Sequence, residues 1–212
     1  MKTSNINFKD RKEKTRFFEK IAPDIAQQMS KALEVLTAEK IKVEFSSIKT
    51  LKERKLLVDV IEKCFGSYTG FRSQQLSLEG IAVIAFPISS TKTLVELVLK
   101  RYLGNGSGEK MGHKIKLSAF KELTNILVST YITGVAGALK DKIETSTPKF
   151  VYFHNIEILG HALSRDYNSE GWISVGQFII TPPVSRQNRK EFIRVHSSSP
   201  LPLIKGKVIT IF

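Results

Sequence analysis

The run Ser118-Ala-Phe-Lys-Glu122-Leu-Thr-Asn125-Ile-Leu-Val-Ser129-Thr-Tyr131 sets a carboxylate, an amide and two hydroxyls at intervals of three and four residues. Wound into a helix of 3.6 residues per turn, Ser118, Glu122, Asn125 and Ser129 fall within an arc of about 60°. Phe120, Leu123, Leu127, Tyr131, Gly134 and Ala138 fall on the other side. One face can therefore pack while the other offers an acceptor for a cation or a hydrogen-bond donor, and an amide that both donates and accepts. Asn is a poor residue for a helix interior because its side chain competes for backbone groups, which points to some other use for Asn125. Spacing alone leaves open an ordinary solvated face, with Ser118 as a cap.

Other local signatures of chemistry are missing. No Gly-x-Ser-x-Gly turn accompanies a serine nucleophile, and His113, His154, His161 and His196 show no His-x-x-x-His or His-Glu spacing on one helix, so they read as structural or surface residues rather than metal ligands. Gly104-Asn-Gly-Ser-Gly-Glu-Lys-Met-Gly112 lacks the Gly-Lys-Ser/Thr ending and the preceding strand of a phosphate loop; it reads as a hinge. Trp172 opens a strand and reads as core.

The elements that would carry the polar face follow from periodicity. Phe17 to Leu36 is predicted helical, with Pro23 marking a helix start or a kink. Ile41 to Ile48 alternates as a half-buried strand does, a short helix around Leu51 to Leu57 follows, and extended segments are expected at Val58 to Thr69 and Leu76 to Phe86. Pro87-Ile-Ser-Ser-Thr91 offers caps for a helix from Lys92 to Tyr102. Beyond the glycine cluster, the reading is a long helix from Leu117 to Lys142, a strand at Lys149 to Phe153 and a helix at Asn155 to Asp166. Strands at Trp172 to Thr181, Glu191 to Ser197 and Lys205 to Phe212 complete it.

Helix, strand, helix, strand, strand thus appears twice. Leu78-Glu79-Gly80-Ile-Ala-Val83-Ile-Ala-Phe86 also lines up with Ile204-Lys205-Gly206-Lys-Val-Ile209-Thr-Ile-Phe212, with the Gly, the β-branched position and the final Phe in register. The expectation is an α/β domain spanning 1–212, built of two halves related by a pseudo-twofold axis, about 17–103 and 113–212, joined by the hinge at 104–112. The halves would share a continuous, mainly antiparallel sheet flanked by long helices. Either half alone leaves a sheet edge and a helix face uncovered, so they should fold as one unit.

Composition fits that picture. With 42% hydrophobic and 25% charged residues in 212, the chain is long enough to bury a core. Cys64, the sole cysteine, excludes an intrachain disulfide and any multi-cysteine zinc site. The first twenty residues hold Lys2, Lys9, Arg11, Lys12, Lys14, Arg16 and Lys20 and no apolar signal core, so the expected location is cytoplasmic. Nine of the thirteen net positive charges lie in residues 1–20 and 181–212. Basic ends on a mildly basic body speak for an acidic protein partner more than for nucleic acid.

The run Ser118-x-x-x-Glu122-x-x-Asn125, with Pro148 after a further 22 residues, resembles the Asp/Ser, Glu, Asn and distant Pro motif of the CheC, CheX and FliY chemotaxis phosphatases. The resemblance extends from about Phe17 to Phe212, and the element order is most like CheC. It implies the two-half fold and a hydrolase acting on the phospho-aspartate of a CheY-like response regulator in two-component signalling. On that resemblance Glu122 pairs with the regulator's active-site lysine and Asn125 orients the attacking water. Ser118 and Ser129 support docking, and Pro148 sets the exit into the next strand. No cofactor is implied for this chain; Mg²⁺ belongs to the phosphorylated regulator. A CheD-like protein is a further partner the family suggests, on an exposed helix such as Lys92 to Tyr102.

One departure stands out. Where CheC proteins often carry a second motif, this chain has Thr15, Glu19, Ala22 and Phe45 at the positions matching Ser118, Glu122, Asn125 and Pro148. With the amide missing there, a single active face is expected. The alternative is a non-catalytic binding or flagellar-switch assembly module on the same scaffold, as the FliM middle domain resembles CheC yet lacks the motif.

Overall fold

The structure is a computed structural model that describes residues 10–51, 64–73, 78–103, 112–153, 173–181 and 204–211. Helix α1 runs Arg11–Thr37. Asp10 caps it by accepting the Glu13 backbone N–H at 2.8 Å, and Ala38 closes it in the left-handed conformation, its N–H donating to the Glu34 carbonyl. Pro23 is therefore no helix start: the capped turn at Asp10 nucleates the helix earlier, and Pro23 sits on an exposed face well inside it. Having no N–H, it leaves the Glu19 carbonyl without its ladder bond. Phe18, Ile21, Ile25, Met29, Leu33 and Leu36 form its buried stripe.

Strands β1 (Lys42–Leu51), β2 (Cys64–Ser73) and β3 (Leu78–Pro87) follow, and then helix α2 (Ile88–Leu103). It begins directly after Pro87, so Ser89, Ser90 and Thr91 occupy its first turn rather than preceding it; the Thr91 hydroxyl donates back to the Pro87 carbonyl at 3.4 Å. Helix α3 (His113–Leu139) ends on left-handed Lys140. A three-residue strand β4 (Ile143–Thr145), too short to register as a period, precedes β5 (Lys149–Phe153), β6 (Ile173–Thr181) and β7 (Ile204–Ile211). The helix expected beyond Leu51, the glycine cluster up to Met111, the helix at Asn155 to Asp166, Trp172 and the strand at Glu191 to Ser197 lie outside the described residues.

The seven strands form one antiparallel sheet in the order β1-β6-β7-β3-β2-β4, with β5 also paired to β2. Exchanging β1 with β5, β2 with β6 and β3 with β7 reproduces the order from β1 to β5 in reverse, as a twofold axis through the sheet requires. Val83 of β3 pairs with Ile209 of β7. These are the two residues that the internal alignment equates, so the axis passes between them. The first strand of each half lies on the other half: β1 pairs with β6 and β5 with β2.

Two glycines set how closely the layers approach. A Cβ on Gly134 of α3 would stand 2.7 Å from Ile25 Cγ1 of α1, so its absence lets the two long helices meet. A Cβ on Gly66 of β2 would lie 2.0 Å from the Ile84 carbonyl oxygen of β3, which no side-chain adjustment relieves. A run of aromatic contacts then ties α3 to the sheet. The fully buried Phe120 ring meets Phe65 at 6.2 Å, Phe86 at 6.0 Å and Phe150 at 5.9 Å, and Phe86 continues to Phe178 at 5.6 Å. Among the described residues, no helix is long and apolar enough to cross a membrane.

Candidate functional site

The anchored helix α3 divides as its periodicity requires. Phe120, Leu123, Leu127, Val128, Tyr131, Ile132 and Val135 are buried, whereas Ser118, Glu122 and Ser129 are exposed and Asn125 is half-buried. Ser118 does not cap the helix. The N-cap is Gly112, which offers no side chain, and Ser118 stands a turn and a half inside. Ala138, assigned to the packed side, is half-exposed near the helix end.

Asn125 differs from its three exposed companions in being held. Its Oδ1 accepts the Ser67 hydroxyl of β2 at 2.8 Å. Ser67 Oγ lies 2.7 Å from Thr124 Oγ1, and both hydroxyl residues are fully buried. Thr124 Oγ1 is also 3.1 Å from the Phe120 and Lys121 carbonyls. The amide nitrogen of Asn125 has no partner among the described residues and is not among their buried, unsatisfied atoms. Neither Ser67 nor Thr124 stands out in the sequence. Ser67 lies 58 residues from Asn125 in a strand of mixed character, and Thr124 falls between the polar and apolar arcs of α3.

Pro148 lies immediately before β5. That strand runs beside β2 with Phe150 opposite Ser67. The connection leading to Pro148 is pinned to β2: the Ser146 N–H donates to the Gly70 carbonyl at 2.9 Å, the Gly70 N–H to Ser146 Oγ at 2.9 Å, and Thr69 Oγ1 to the Ser146 carbonyl at 2.6 Å. Lys121 Nζ sits 5.3 Å from the centre of the Phe150 ring, a cation–π contact beside Glu122. The distant proline thus borders the strand that flanks the amide's anchor.

The matching positions on α1 are built differently. Glu19 is exposed, but Ala22 is buried and has no hydrogen-bonding side chain. Glu19, Ala22, Pro23, Glu44 and Phe45 border an open groove of about 460 Å³ between α1 and β1. Among the described residues, no three His, Cys, Asp or Glu side chains group closely enough to hold a metal.

Known proteins resemble this chain locally in sequence and more widely in fold. The CheC-like family matches residues 115–152, the span that contains Ser118, Glu122, Asn125, Ser129 and Pro148. Across the fold the chain is similar to FliY of Thermotoga maritima, with 18% identity, 93% of this chain and 89% of that one covered, and a TM-score of 0.61. The sequence match to that family lies in residues 115–152, and the likeness to FliY is one of fold. The fold is also similar to the FliM middle domain of H. pylori, at 9% identity, with 95% and 92% of the two chains covered and a TM-score of 0.57. A search of curated proteins finds no match.

Proposed function

We propose that this CheC-like chain is a phosphatase of chemotaxis signalling that hydrolyses the phospho-aspartate of a CheY-like response regulator. The observation that supports it is the pairing of an exposed carboxylate, Glu122, with a half-buried, anchored amide, Asn125, one helical turn apart on the outward side of α3. In this reading α3 lies against the regulator's phosphorylation site and Glu122 meets its active-site lysine. Asn125 holds a water in line with the bond between phosphorus and the aspartyl oxygen. Water attacks phosphorus, that bond breaks, the carboxylate leaves with the electron pair, and the proton lost by the water ends on the inorganic phosphate. An acyl phosphate is already reactive, so positioning the water and completing the electrostatics suffices. Mg²⁺ is supplied by the regulator.

Loss of phosphate from a phosphorylated CheY-like regulator in Mg²⁺ tests this. Wild type should accelerate it, and Asn125→Ala should lower the accelerated rate by about 100-fold, the usual cost of one positioned transition-state hydrogen bond. Equal rates with wild type, the variant and buffer remove the enzymatic reading. A second reading, an assembly module of the flagellar switch, is favoured by the FliM-like fold and by Ala22 in place of an amide on α1. Such a module binds its partner without speeding the loss of phosphate.

A further inference from the structure

The polar cluster behind the outward face bears on how the proposed reaction is served, and the role assigned to it here rests on that reading of Asn125. Ser67 has one hydroxyl proton and two neighbours, Asn125 Oδ1 at 2.8 Å and Thr124 Oγ1 at 2.7 Å; Thr124 Oγ1 in turn lies 3.1 Å from the carbonyls of Phe120 and Lys121. Donating to Oδ1 leaves Ser67 able only to accept from Thr124. The chain of donation then has one direction, from Thr124 to Ser67 to Asn125. Its terminus fixes the amide's polarity: the carbonyl oxygen is taken from behind, and the NH₂ end is left for whatever approaches α3.

We infer that Ser67 of β2, backed by Thr124, is a positioning residue that orients the Asn125 amide so that it presents its two N–H donors outward. The strand thereby controls a group carried by the helix. Burial supports this assignment, because both hydroxyls are fully shielded and no water competes for them. A freely rotating Asn on a wet helix face would offer oxygen and nitrogen equally and would hold a water in several orientations. The anchored amide turns its NH₂ end outward, suited to a phosphoryl oxygen or to one lone pair of the attacking water while the other faces phosphorus.

Ser67→Ala is a clean test because Thr124 can return its proton to the Phe120 or Lys121 carbonyl, each 3.1 Å away, so no buried donor is orphaned. The expected result is a roughly tenfold fall in the saturating dephosphorylation rate, with the half-saturating concentration of regulator unchanged. In an Asn125→Ala background, Ser67→Ala should have no further effect. Asn125→Asp should keep the Ser67 bond and the wild-type melting temperature yet lose the rate, since it retains the acceptor and removes the outward donors. An unchanged saturating rate in Ser67→Ala, where wild type is active, overturns the positioning role and leaves the phosphatase reading standing. A second readout does not depend on activity. The side-chain NH₂ resonances of Asn125, observed by ¹⁵N NMR in the free protein, should shift and lose order in Ser67→Ala; unchanged resonances overturn the inference even if wild type proves inactive.

Discussion

At the scale of single residues, the outward face of α3 was legible and the support behind it was not. Ser118, Glu122, Asn125 and Ser129 share an arc fixed by helix geometry, which can be calculated from spacing alone. Ser67 entered only with the sheet, because a serine in a strand carries no sign of which helix it will meet. The partial burial of Asn125 separates it from the exposed Glu122, and the two should fail differently when altered. Glu122→Lys puts a cation where the proposed partner presents a lysine. Its affinity for a phosphorylated regulator, measured by titration calorimetry or fluorescence, should fall by at least tenfold with no loss of folding stability. Unchanged affinity would dissolve the assigned ion pair. The pattern expected of Asn125→Ala is the reverse, a slower reaction at nearly unchanged affinity.

At the scale of elements, the long helices were plain from their apolar stripes, whereas Pro23 left a helix start and a kink both open, because proline more often opens a helix than sits inside one. The contact at Gly134 was beyond reach, since it depends on which helices cross. A methyl group there enters Ile25 Cγ1, and the crowding outweighs the gain in helix propensity from replacing glycine. Gly134→Ala should therefore lower the free energy of unfolding in urea by about 1–2 kcal/mol, and the cost should shrink when Ile25→Ala opens the space. Tyr131 supplies a prediction in pH. Its hydroxyl lies 2.6 Å from Thr210 Oγ1 in the core, and burial pushes the phenol well above its ordinary value of 10.0. Above pH 10 the unfolded chain ionises this group while the folded chain does not, so stability falls as pH rises. Tyr131→Phe should flatten that alkaline decline in a series of thermal melts. At neutral pH it should cost about 1–2 kcal/mol, because the buried Thr210 hydroxyl loses its partner.

At the scale of the whole molecule, the repeat of Leu78 to Phe86 in Ile204 to Phe212 carried more than fold class: its equated residues Val83 and Ile209 turned out to face each other across the centre of the sheet. What alignment did not carry was the exchange of outer strands, with β1 on β6 and β5 on β2, because strand order is set by long-range pairing. Residues 1–103 made alone should accordingly show no cooperative unfolding transition by circular dichroism, and adding 113–212 should restore one. A monomeric first half that melts sharply would contradict that interdependence. The same weave governs how the protein comes into being on the ribosome. Strand β3 is made early but receives its second neighbour only when β7 emerges, so for most of translation the nascent chain carries an open seam, and protection from sticking to other chains has to come from outside it.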